Sequence, residues 1–104
     1  MKIAREVARE NLAISVVSIQ ELYAGKSTSD RESQAYLVAI IAPLRVLAYT
    51  YEIAQYAGEI MRDLPRPIVF ANAAIAATAL VNEASLLTLN RKDFEGIKNL
   101  DLIQ

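Results

Sequence analysis

The stretch FANAAIAATAL, residues 70–80, decides how this chain folds. Alanine occupies six of its eleven positions, and alanine is the strongest helix former. A helix this bare can lie very close to the elements that cover it. The pattern therefore predicts a tightly packed helix over residues 71–82, and it places the amide Asn72 at the leading edge, where packing will hold it in a defined position.

On both sides of this helix, short apolar segments alternate with amphipathic helical patterns. Strands are expected at LAISVV, RVLAY, SLLTL and LDLI, and helices are expected at 1–10, 18–25, 31–42 and 51–64. Strands that alternate with helices imply parallel pairing and an α/β sandwich.

Capping patterns predict where these helices begin. Ser18 and Glu21 fit a capping box that opens the short second helix, and Ser29 and Glu32 fit another for the third helix. Thr50 is the expected cap of the fourth helix.

The composition limits the classes of protein to which this chain can belong. At 104 residues, with 54% hydrophobic and 22% charged residues, residues 1–104 form a single globular domain. The chain has no cysteine and no histidine, which excludes thiolate sites and imidazole catalysis and suits a reducing cytoplasm. The longest uninterrupted apolar run, residues 37–44, is too short to span a membrane.

Polar residues lie where strands end or helices begin, and in open α/β sheets ligands collect at the carboxyl ends of strands. These residues are Glu21, Asn72, Asn90 and Asp93. Each has a structural alternative: Glu21 completes a capping box, Asn72 caps the alanine-rich helix, and Asn90 caps a helical turn with an acid in it.

The segments ISVVSIQELYAG, RPIVFANAAIAATAL and SLLTLNRKDF occur here in this order. Together they resemble the PIN-domain ribonucleases, especially VapC-type toxins of toxin–antitoxin pairs, from about residue 12 to 103. The resemblance implies a three-layer sandwich around a mostly parallel sheet. It also implies a cluster of acids that holds Mg²⁺ or Mn²⁺ and hydrolyses RNA.

Residue by residue, the resemblance places the family's glutamate at Glu21 and its next acid at Asn72. Its final acidic region falls on Asp93, with Asn90 as a further metal ligand and Thr88 in a supporting position. It thus assigns Glu21, Asn72 and Asp93 as catalytic positions, and Glu21, Asp93 and Asn90 as metal ligands.

Two departures from the family pattern affect this site. Asn72 is a neutral amide, and the family's first strand, which carries another acid, is lacking. The two remaining carboxylates should bind a strongly hydrated dication weakly or not at all, so we expect a catalytically impaired protein. Because the missing strand would lie centrally in the sheet, we expect altered pairing or a strand from a partner chain, and hence a dimer.

The sequence leaves three functional hypotheses open. The chain is a metal-dependent ribonuclease, a non-catalytic PIN-like module that self-associates or binds an antitoxin, or a purely structural α/β domain. The arginines at 62 and 66, with Arg91 and Lys92, form either a basic rim for RNA or ordinary solvated surface. The five tyrosines stack on bases or, as is commoner for this residue, pack half-buried.

Overall fold

A five-stranded sheet forms the centre of the computed structural model, which describes residues 3–4 and 12–103. The strands are β1 (Ile3–Ala4), β2 (Ala13–Ser15), β3 (Arg45–Leu47), β4 (Leu86–Leu87) and β5 (Leu102–Ile103). They lie in the order β3-β2-β1-β4-β5. The pairs β2–β3 and β4–β5 are parallel, whereas β1 is antiparallel to both β2 and β4. Four strands therefore run in one direction, and the predicted mostly parallel sheet is confirmed.

The central position of the sheet is filled by the chain itself. Ile3 pairs with Ile14 on one side and with Leu87 on the other. The predicted helix over 1–10 is therefore wrong at Ile3–Ala4, and the rest of that prediction lies outside the described residues. A two-sided ladder satisfies backbone groups of β2 and β4 that a gap would leave unpaired in the interior. No strand from a second chain is needed to close this sheet.

Four α-helices surround the sheet in the described part of the chain. They are α1 (Val16–Ala24), α2 (Arg31–Ile41), α3 (Tyr51–Asp63) and α4 (Phe70–Val81). Two short 3₁₀ turns, Lys26–Thr28 and Arg91–Phe94, follow α1 and β4 respectively. Within residues 3–4 and 12–103, no helix is both long and apolar enough to cross a membrane.

The first helix begins earlier than its sequence pattern predicts. The Ser15 hydroxyl accepts a hydrogen bond from the Val17 amide at 3.0 Å, and Ser15 is the N-cap of α1. The predicted capping box from Ser18 to Glu21 is therefore wrong, and Ser18 lies buried inside the helix. The strand that was predicted over 12–17 ends at Ser15, because residues 16 and 17 belong to α1.

Of the two caps predicted for α2 and α3, the first is wrong and the second is confirmed. The second predicted capping box is wrong by one residue, because the Asp30 carboxylate, not Ser29, accepts a hydrogen bond from the Ser33 amide at 3.0 Å. The Thr50 cap is confirmed, since its hydroxyl accepts a bond from the Ile53 amide at 3.2 Å. An aspartate is at least as good an N-cap as a serine, and spacing alone does not separate adjacent candidates.

The main core is built around α4. Residues 72–79 of this helix are all buried, and α3 packs along it. The cluster also includes Ile53 and Ile60 of α3, Leu86 of β4, and Phe94 of the second 3₁₀ turn. A second, smaller cluster joins Ala13 and Leu47. Two separate apolar clusters suit a sheet covered on both faces, and the fold is the expected α/β sandwich.

Candidate functional site

The elements that carry the candidate site residues pack against one another around α4. This helix contacts α1, which carries Glu21, and it also contacts the Arg91–Phe94 turn, which carries Asp93. Asn72 belongs to α4 itself, as the third residue of the helix. The three elements that bear the predicted catalytic positions therefore meet at one helix, as the resemblance requires.

The two helical positions of the site have opposite environments. Glu21 is exposed on α1, whereas Asn72 is only 7% exposed in the first turn of α4. Val69 is the N-cap of α4 and makes no side-chain capping bond, so the alternative role of Asn72 as the helix cap is wrong. The alternative role of Glu21 in a capping box is also wrong, because the N-cap of α1 is Ser15 and not Ser18.

The remaining predicted residues lie in one turn after β4. Thr88 is 1% exposed, and its hydroxyl accepts a hydrogen bond from the Asn90 amide at 3.1 Å. Asn90 is exposed and occupies the N-cap position of the 3₁₀ turn, but its side chain makes no capping bond. Its carbonyl accepts a bond from the Asp93 amide at 3.0 Å. The buried Thr88 hydroxyl thus ties the Asn90 backbone to the segment that follows β4.

The acids of this site do not form a dense ligand cluster. Among residues 3–4 and 12–103, no group of three or more acidic side chains is arranged to hold a metal ion. Mg²⁺ gives up its hydration shell reluctantly, so a site with few carboxylates binds it weakly unless a substrate phosphate adds negative charge. The described residues therefore do not supply the cluster of acids that a tightly held Mg²⁺ or Mn²⁺ ion requires.

The predicted basic rim is largely committed to other contacts. Arg62 forms a two-pronged ion pair with Asp63, in which both N–O distances are 2.7 Å. Hydrogen bonding to Arg62 lowers the pKa of the Asp63 carboxyl. Arg66 is half-buried and directed at backbone carbonyls of the protein. Arg91 and Lys92 are exposed beside Asp93. Their exposure fits both alternatives, a basic rim for RNA and ordinary solvated surface.

A groove between α1 and α2 is the larger of the two described surface depressions. It has a volume of about 550 Å³. Its apolar lining comes from Leu22, Tyr36, Leu37 and Ile40, and its acidic lining from Asp30 and Glu32.

Tyr36 is 71% exposed and Tyr51 is 87% exposed. The prediction that the tyrosines pack half-buried is therefore wrong for these two residues.

Sequence reasoning missed the roles of Ser15 and Arg66. A signal for Ser15 was present, because a serine directly before a helical pattern is a good N-cap; three residues on, Ser18 fitted the same rule. A signal for Arg66 was its position between Pro65 and Pro67. A proline restricts the backbone of the residue before it to extended conformations, so Pro67 lowers the entropy cost of ordering Arg66.

Comparison with known protein families and sequences places these observations in context. The sequence model of the PIN domain family matches residues 1–100. Ribonuclease VapC10 of Mycobacterium tuberculosis is 42% identical over 82 residues, which cover 76% of this chain and 59% of the relative. Ribonuclease VapC2 of Rickettsia felis is 30% identical over 102 residues, covering 92% of this chain and 76% of the relative. The chain thus spans about three fifths of the mycobacterial protein's length.

Solved structures show the same fold. The DNA-bound VapBC structure from Salmonella typhimurium matches with a TM-score of 0.80 and 28% identity, covering 88% of this chain and 73% of that chain. VapBC2 from Rickettsia felis, bound to a fragment of its promoter DNA, matches with a TM-score of 0.77 and 29% identity, covering 88% and 72%. These likenesses agree in fold class with the resemblance read from the sequence.

Proposed function

Because this chain belongs to the PIN domain family, we propose that it is a VapC-type ribonuclease in which metal-dependent cleavage of RNA is impaired. The observation that carries the proposal is the buried amide of Asn72 in the first turn of α4. The family resemblance expects an acid at this position. An amide oxygen offers a dipole where a carboxylate offers a full charge, so its attraction to a dication is much weaker.

The remaining carboxylates support the same conclusion. Glu21 is exposed to solvent and Asp93 is half-buried, and no third acid joins them within the described residues. VapC-type PIN ribonucleases generally depend on a divalent metal. With two carboxylates from different elements, affinity for Mg²⁺ or Mn²⁺ is low, and the chemistry that the metal would supply is correspondingly weak.

The test is a calorimetric titration of the protein with Mn²⁺, beside a cleavage assay on a mixture of single-stranded RNAs. We expect binding no tighter than about millimolar, and no turnover above background. Asn72→Asp should tighten Mn²⁺ binding by at least about tenfold, because it adds a negative charge at the position where the family resemblance expects an acid. The new carboxylate lies in the first turn of α4, where the helix dipole favours it.

A matched control separates local from general charge effects. Gln55→Glu makes the same change of amide to acid at an exposed position of α3, and it should leave Mn²⁺ affinity unchanged. If the unaltered protein binds Mn²⁺ at micromolar concentration and cleaves RNA, and Glu21→Ala abolishes both, the proposed impairment is wrong. If Asn72→Asp leaves affinity unchanged, the site assignment is wrong.

A second candidate function is binding of an antitoxin peptide without catalysis. The groove between α1 and α2 supports it, because apolar walls with an acidic edge suit an amphipathic segment with basic residues. The similar structures from Salmonella typhimurium and Rickettsia felis are VapBC structures. We propose that an antitoxin of this chemistry occupies the groove.

Two tyrosine variants test the groove. Tyr36→Asp places a charge in its lining, whereas Tyr51→Asp makes the same change at an exposed position outside it. The purified protein is titrated with an amphipathic peptide that carries basic residues, which represents the proposed antitoxin segment. Tyr36→Asp should weaken binding by at least about tenfold, and Tyr51→Asp should leave it unchanged. Equal effects of the two changes would contradict this use of the groove.

Self-association and location complete the proposal. The centre of the sheet is filled by the chain itself, so a strand from a partner chain no longer supports self-association. We propose a dimer through another surface, and light scattering over a range of concentrations tests this directly. A monomer at every concentration would contradict it. The lack of cysteine, which suits a reducing compartment, supports a cytoplasmic location.

A further inference from the structure

Arg66 makes contacts that none of the functions considered above requires. It lies between Pro65 and Pro67 in the connection from α3 to α4. Its Nη2 atom donates hydrogen bonds to the carbonyl of Glu95 at 2.7 Å and to the carbonyl of Asp93 at 3.2 Å. A single guanidinium nitrogen thus bridges two carbonyls of a segment that lies more than 25 residues further along the chain.

The bridged segment is anchored from its other side as well. Phe94, which separates the two carbonyls in the sequence, is 1% exposed and belongs to the main core. The last carbonyls of a helical turn have no partner within the turn, and an arginine side chain can satisfy them. Arg66 and Phe94 therefore restrain the end of the Arg91–Phe94 turn from the outside and the inside.

We propose that Arg66 is a positioning residue, which fixes the backbone at Asp93 and so holds the carboxylate of Asp93 at the candidate site. This inference rests on the proposed role of Asp93 in a PIN-type site. It assigns Arg66 to the support of the site, not to a basic rim. The second terminal nitrogen of the guanidinium, Nη1, donates to the Pro67 carbonyl at 3.3 Å. A lysine has a single nitrogen on a flexible stem, so it cannot make this contact and bridge the two carbonyls with the same fixed geometry.

The first measurement is native-state hydrogen exchange of the Asp93 amide, which donates to the Asn90 carbonyl. Arg66→Ala removes both bridging bonds, and we expect exchange at Asp93 to become about tenfold faster. Arg66→Lys should give an intermediate rate. Arg62→Ala is the matched control, because Arg62 lies four residues earlier and pairs with the exposed Asp63; the exchange rate at Asp93 should not change.

The second measurement separates positioning from mere structural support. In the Asn72→Asp background, Arg66→Ala should weaken Mn²⁺ binding about tenfold, as is typical for loss of a partner that orients a ligand. Arg66→Lys should restore part of that affinity, and Arg62→Ala should have no effect. A change that only loosened the fold would lower the melting temperature without this selective pattern.

The possible outcomes distinguish this inference from the proposed function. Unchanged exchange at Asp93 in Arg66→Ala overturns the inference. Faster exchange with unchanged Mn²⁺ affinity, in an Asn72→Asp protein that binds Mn²⁺, also overturns it. If Asn72→Asp binds no Mn²⁺ with any residue at position 66, the proposed site fails, and the restraint by Arg66 is then decided by exchange at Asp93 alone.

Discussion

The helices α2 and α4 are both rich in apolar residues, yet the fold uses them in opposite ways. Every residue of α4 from 72 to 79 is buried. In α2, only Leu37 is buried, and Tyr36 and Val38 are more than half exposed. Apolar character therefore does not decide which of the two helices becomes the centre of the protein.

The size of the side chains explains the difference. Alanine loses no rotamer entropy on burial, and its single methyl group allows neighbouring elements to approach the helix closely. Helix α4 accordingly contacts α1, α3 and the Arg91–Phe94 turn. The larger residues of α2 line a groove on the surface instead. The alanine-rich helix α4 lies at the centre of the fold, whereas α2, with its larger side chains, lines an open groove.

Shortening an apolar side chain should destabilise the protein far more in α4 than in α2, and this is the largest difference that we expect between the two helices. Ile75→Ala should lower the free energy of unfolding by about 3 kcal/mol, because Ile75 is 2% exposed and a cavity would remain. Val38→Ala in α2 should change it by less than about 0.5 kcal/mol. Chemical denaturation measures both values, and equal losses would contradict the central position of α4.

Adding volume tests the same point from the other side. Ala76→Leu should lower the free energy of unfolding by about 2 kcal/mol, since Ala76 is fully buried and the core has no room for three more carbons. Ala39→Leu makes the same change at an exposed position of α2 and should change stability by less than about 0.5 kcal/mol. If Ala76→Leu is tolerated equally well, close packing around α4 is not what defines the core.

A pair of serine variants tests where α1 begins, and therefore how Glu21 is placed relative to α4. Ser15→Ala should lower the free energy of unfolding by about 1 kcal/mol through loss of the cap. The Ser18 hydroxyl is buried and has no hydrogen-bond partner within the described residues. Ser18→Ala should therefore raise stability by about 1 kcal/mol. The reverse order in thermal or chemical unfolding would restore Ser18 as the cap.

The smallest expected effect concerns the start of α2. A hydrogen bond from the Ser33 amide lowers the pKa of the Asp30 carboxyl below its usual value of 3.8. The stabilisation of the folded state by ionised Asp30 is therefore fully present above the unfolded pKa and is lost as the pH falls through the lower folded pKa. The Ser33 amide resonance should report this titration by NMR, and Asp30→Asn should remove it. A titration at or above the usual value would contradict the cap.

Much of this fold and site could be predicted from residue patterns. From residue 12 onward, alternating apolar and helical segments predicted the order of the elements, and the alanines of 71–79 marked the buried helix. The position of Glu21, Asn72 and Asp93 on elements that meet at α4 followed from the family resemblance. Predictions that required a choice between nearby cap residues failed. Ser29 and Asp30 are adjacent, and Ser15 and Ser18 lie three residues apart, so the local pattern fits either residue of each pair.

By itself, the sequence determined the class of fold from local periodicity, and the family from three motifs in a fixed order. It also determined that residue 72 is a neutral amide. Only the tertiary structure decided that Ile3–Ala4 occupies the middle of the sheet, antiparallel to both neighbours. It also decided that Arg66 turns inward to the carbonyls of Asp93 and Glu95. Both depend on backbone groups far apart in the chain that must find hydrogen-bond partners, and a local pattern carries no record of such pairings.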